Sequence, residues 1–79
     1  MIQPRPTSIT RTWTAEVVDR MDNAVVQVRT HTVTLTADHI GHQTAVVDGE
    51  TATVQRAVQI LEDARQVVMT SEVRQGRAA

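Results

Sequence analysis

The chain has 79 residues, a formal net charge of −1, no cysteine and a single aromatic residue, Trp13. This excludes a disulfide or thiolate–metal scaffold and the basic footprint of a general nucleic-acid binder; with no apolar run longer than three residues, it also excludes a transmembrane helix. What remains is one small domain, expected in the cytoplasm, whose core must be built from Val, Ile, Leu, Ala and Met, which bury less area than aromatic rings.

Residues 1–8 contain Pro4 and Pro6 and read as a flexible N-terminal arm, because proline excludes helix and interrupts strand pairing. From Thr10 to Val18 the pattern alternates. Trp13, Ala15 and Val17 fall on one face and Thr12, Thr14 and Glu16 on the other, as in a half-buried strand. Asp19–Asn23 reads as a turn, with Asp22-Asn23 tolerant of positive φ. Ala24–Thr36 is a second strand whose apolar phase changes, Val26 and Val28 having one parity and Val33 and Leu35 the other. A strict pleat cannot bring all four to one face, so a bulge near Thr30–Thr32 is predicted. The alternative is a strand that passes from one buried face to another. Residues 37–41 form a second turn, and His42–Val47 a short third strand.

Asp48 to Glu72 reads as one long amphipathic helix, capped by Asp48 or Thr51, with Glu50 complementing its N-terminal dipole. On a helical projection Val54, Ala57, Val58, Ile60, Leu61, Ala64, Val67, Val68 and Met69 share one apolar arc. That arc spans roughly 200°, about twice what a helix needs to cover one core, and the surplus predicts a partner chain. The predicted fold is a two-layer α+β domain over residues 9–73: an antiparallel β-meander of two or three strands packed by one long C-terminal helix. Residues 74–79 are a tail.

Candidate chemistry is sparse. Asp38, His39 and His42, with His31 upstream, are the metal-like cluster, but they fall in a turn without an evident fourth ligand. Glu62 and Asp63 face water on the helix, and Glu16 lies on the strand face away from Trp13, so no two carboxylates converge as a general acid–base pair requires. Ser8 and Ser71 lack a His–Asp partner spacing, and Gly41, Gly49 and Gly76 are too isolated to form a phosphate loop. No enzyme, metal or cofactor is expected. Trp13 reads as the core anchor under the helix or as an exposed contact for a partner. Arg65 falls inside the apolar arc, where it either snorkels to water or pairs with Glu16 or Asp19. Leu61 and Val68, with Trp13 and Arg65, form the expected core or dimer interface. All eight cations are arginine, whose planar fork suits phosphate. Arg11, Arg20 and Arg29 are therefore the candidate RNA or partner contacts, against the alternative of scattered surface charge.

Trp13-Thr-Ala-Glu-Val17, the Thr/Arg-rich second strand and the run from Glu50 through Thr53–Leu61 to Val68 resemble the small actinobacterial dormancy-associated proteins. The resemblance covers residues 12–70 as a pattern, with Trp-Thr its one sharp motif. It implies a homodimer with a fold similar to the ribosome hibernation-promoting factor and to double-stranded-RNA-binding domains, ββ(β)α in order. The expectation is thus a non-catalytic homodimer that binds the ribosome or other structured RNA under stress. The alternative is a phage- or stress-encoded regulator that binds protein and no nucleic acid.

Overall fold

Alternating Thr and apolar residues build a long hairpin, and the rest of the molecule is arranged around it. The computed structural model describes residues 5–77: β1 (Arg5–Met21), β2 (Ala24–Asp38), β3 (Gln43–Val47), β4 (Glu50–Ala52), α1 (Val54–Asp63) and β5 (Gln66–Arg77). The strands form one antiparallel sheet in the order β4-β3-β2-β1-β5. Two tight turns set its register. Asp22 and Asn23 (φ 51° and 67°) join Met21 to Ala24, and Asp48 and Gly49 (φ 53° and 84°) join Val47 to Glu50. Two successive positive φ values give a turn whose twist matches that of the paired strands.

The predicted long helix is overturned, and with it the two-layer meander-plus-helix fold and the double-stranded-RNA-binding-domain likeness. α1 ends at Asp63. Ala64 is extended (φ −67°, ψ 138°), and the Arg65 amide donates to the Glu16 carbonyl at 2.8 Å, which starts β5 alongside β1. The physical reason is twofold. Val67, Val68, Thr70 and Val73 are β-branched and favour strand. Without β5, moreover, the 17-residue β1 would present a bare edge of unpaired amides and carbonyls. The start of the helix is corrected too. Glu50 and Thr51 belong to β4, and the N-cap is Thr53, whose hydroxyl accepts from the Arg56 amide at 3.1 Å. Thr53→Ala should cost about 1 kcal/mol, read as a lower midpoint in thermal melts followed by circular dichroism. Within α1 most of the projected stripe meets the sheet: Ala57 is buried, and Val54, Ile60 and Leu61 pack on the core, whereas Val58 is exposed. The other members of the predicted arc lie beyond the helix, Ala64 as its C-cap and Val67, Val68 and Met69 in β5.

Strand boundaries also shift. Arg5–Ser8, expected in a flexible arm, pair within β1, and Arg74–Arg77, expected in a tail, close β5; residues 1–4 and 78–79 lie outside the described residues. The register between β1 and β2 is unbroken from Ser8↔Asp38 to Asp19↔Gln27, so there is no bulge at Thr30–Thr32. The irregularity falls between Asp19 and Arg20, opposite Val26. The strict pleat is kept because Val28 lies on the face opposite to Val33 and Leu35 and remains exposed.

The helix crosses one face of the sheet on its way from β4 at one edge to β5 at the other. Beneath it Val33, Ala45, Val47 and Ala57 form the core cluster, flanked by Leu35, Ala52, Val54, Ile60 and Leu61. Alanines at the helix–sheet contact let the two layers approach closely. Among the described residues only these four and Ala15 are buried.

Candidate interaction surface

Every residue of β1 and β2 belongs to one of two faces, and the register assigns them. Trp13, Ala15, Val33, Leu35, Ala45 and Val47 share the face under α1. The opposite face carries Thr10, Thr12 and Thr14 of β1, paired with Thr36, Thr34 and Thr32 of β2. Thr44 and Val46 of β3 and Val68, Ser71 and Val73 of β5 continue it on either side. No element covers this second face among the described residues. Its hydroxyls bond to each other across strands, Thr10 to Thr36 at 3.0 Å and Thr12 to Thr34 at 3.1 Å.

Beyond the ends of β3 and β5, β1 and β2 continue as a two-stranded arm from about Val17 and Arg29 to the Asp22-Asn23 turn. Met21, Val25, Val26 and Val28 on it are exposed, Val26 by 63%. A ribbon of two strands is marginal alone in water.

The charges sit mostly on the helix side and at the margins. Arg11 and Glu72, neighbours across β1 and β5, pair at 3.0 Å, and Arg74 reaches the same carboxylate at 2.8 Å. These bonds, Arg74 first and then Arg11, hold the Glu72 carboxyl below its ordinary value. Arg29 grips Asp19 with two nitrogens, at 3.0 and 3.1 Å. Arg65 lies past the end of α1, outside any helical apolar arc, and pairs with Glu16 while its side chain stays about half exposed. In the β3–β4 turn Asp48 accepts from the Thr32 amide at 3.0 Å and meets His31 Nδ1 at 2.7 Å. The His31 bond, then the Thr32 amide, lowers the Asp48 pKa.

The residues singled out from sequence therefore scatter. Arg11 and Arg29 share a face but stand six residues apart along the hairpin, each held by a carboxylate, and Arg20 is exposed on the arm. Trp13 is half-buried outside the core cluster. It lines a shallow groove of about 140 Å³ with Ile9, Arg11, Leu35, Ala37 and Gln43. Leu61 packs on the core, whereas Val68 is half exposed on the uncovered face. Asp38 is a loop clamp: its Oδ1 accepts from the Ile40 and His42 amides at 3.1 and 2.8 Å. Among the described residues no three His, Cys, Asp or Glu side chains gather as a metal site.

The uncovered Thr/Val face was missed from sequence, although Thr10-x-Thr-x-Thr14 and Thr30-x-Thr-x-Thr-x-Thr36 were its signal. Threonine at period two reads as the solvent side of a strand, and nothing in one strand shows that two such rows will pair. No protein-family model, curated protein or solved structure matches the chain.

Proposed function

We propose that this chain is a non-catalytic binding protein that works as a homo-oligomer and acts through protein–protein contacts made by its sheet. The observation that carries this reading is surface in excess. The chain exposes 6046 Å², whereas a compact monomer of its mass exposes about 4,700 Å². The surplus, on the order of 1,000 Å², matches what one partner contributes to a stable interface. Its radius of gyration is 15.8 Å, against about 12 Å for a compact chain of this length. A core of five residues among those described, in which the largest fully buried side chain is a valine, adds to the same argument.

The groove beside Trp13 is smaller than the roughly 300–1,000 Å³ in which small ligands are enclosed. That favours contact with macromolecules over turnover of a substrate. Between protein and RNA, the ion pairs decide the order. Two of the three arginines expected to hold phosphate are occupied by Glu72 and Asp19, so the ribosome-binding reading ranks second.

Sedimentation velocity at micromolar concentration tests the proposal. A species of at least twice 8.7 kDa is expected. A monomer that melts cooperatively would overturn it. Binding to ribosomes or structured RNA that weakens steeply between about 50 and 200 mM salt would put the RNA reading in its place.

A further inference from the structure

Building on the homo-oligomeric reading, we propose that the uncovered threonine–valine face is where a second copy of this chain packs, sheet against sheet.

Four observations on this face point to one occupant. Its centre is uncharged: Thr10, Thr12, Thr14, Thr32, Thr34, Thr36, Val46 and Val68 lie between Glu16 and Arg20 towards the arm and Asp38 at the far end. Nucleic acid and acidic or basic protein surfaces have nothing there to recognise, whereas an identical uncharged face does. Second, the Thr10–Thr36 and Thr12–Thr34 pairs satisfy part of their own hydrogen bonding within the face. The methyl groups of these residues are then available to a dry contact, and desolvating the hydroxyls costs less.

The third observation is area. From Ser8 to Glu16, where β5 flanks the hairpin, the face runs about 27 Å, and its flanking strands make it about 15–20 Å wide, giving about 400–500 Å² before the arm is counted. With the exposed valines of the arm it approaches the roughly 800 Å² per partner of a standard interface. The fourth is continuity. Val18 and Val28, directly paired in the arm, lie on the same face as the threonine rows, beyond Glu16, whose charge is already met by Arg65, so a partner sheet that extends along the rows reaches the base of the arm. Stacked sheets separated by about 10 Å give each copy the second layer that it lacks on this side.

The chain has no cysteine, so one introduced thiol reports unambiguously. Thr14→Cys is near-isosteric and lies mid-face, between Thr32 and Val68. With a short bismaleimide it should give a covalent dimer in high yield, while Gln43→Cys, exposed on the helix side, should not. Independently, Thr34→Lys should raise the dimer dissociation constant about 100-fold by burying an unpaired charge in the interface.

If the wild-type chain is monomeric in sedimentation, the homo-oligomeric reading itself falls. If it is oligomeric, but Thr34→Lys leaves the mass unchanged and Thr14→Cys does not crosslink, only the assignment to this face is overturned. Should Thr34→Lys fail to fold, the two cysteine variants decide alone.

Discussion

Val33→Asp is expected to abolish cooperative folding. Val33 is fully buried, sits between Trp13 and Val47 in the sheet, and belongs to the cluster beneath Ala57 of α1. A carboxylate there has no cation within the core to meet it; buried ionised and unpaired it costs several kcal/mol, and protonated it remains a buried polar group without a partner. A domain of this length holds only about 4–12 kcal/mol in total. With so few buried residues, no other part of the core can absorb the loss. Circular dichroism should show no thermal transition, and amide resonances should collapse into a narrow band. A variant that melts within a few degrees of wild type would contradict the helix-side assignment of Val33.

The second large effect is expected at Asp48, which combines three roles in one exposed turn. Its backbone sits at φ 53°, its Oδ1 accepts from the Thr32 amide, and its Oδ2 meets His31. Asp48→Ala removes both side-chain contacts and places an alanine in a left-handed conformation that it tolerates poorly, a loss of about 2–3 kcal/mol. For a domain this small that is a fall of about 10–15 °C in midpoint. Asp48→Asn keeps the turn and an acceptor for Thr32, and should lose less than half as much.

The two variants also separate charge from shape through pH. Because the folded Asp48 pKa lies below its ordinary 3.8, its ionised form stabilises the fold. That stabilisation is complete above the ordinary value and is lost as pH falls through the lower folded one. Glu72 adds a loss of the same sign, on descent from its ordinary 4.5. Wild type should therefore lose stability steadily below about pH 4, and Asp48→Asn should lose less over the same interval. Equal acid slopes in denaturant titrations would exclude Asp48 as a source.

How far the fold could be read from sequence follows from where each signal is stored. The face assignment of Trp13, Ala15 and Val17 against Thr12, Thr14 and Glu16 was legible because strand parity is local. So was the Asp22-Asn23 turn, whose positive φ values belong to those residue types. The fate of residues 66–77 was not. Val67, Val68 and Met69 extend a helical stripe as easily as they fill a strand, and what decides is the open edge of β1, about fifty to seventy residues earlier in the chain. The phase change in β2 was visible, but it was attributed to a bulge. Its meaning, that one face of the sheet has no covering layer among the described residues, requires knowing that α1 is the one helix they supply. The arginines show the same limit: their number was readable, whereas the carboxylates that hold Arg11 and Arg29 arrive by pairing across strands.

The position of β5 has a consequence for how the chain assembles. The β1–β2 hairpin closes over two residues and can form early, whereas β1 meets β5 through pairs such as Ser8↔Gln75. Closing loops of that length is entropically slow, so the hairpin waits, with one flank of β1 unpaired, for β5. During that interval the same open flank can also be met by the β5 of a neighbouring molecule, in competition with its own. Strand exchange between copies is thus the error to which this topology is most prone, and it should worsen as refolding concentration rises.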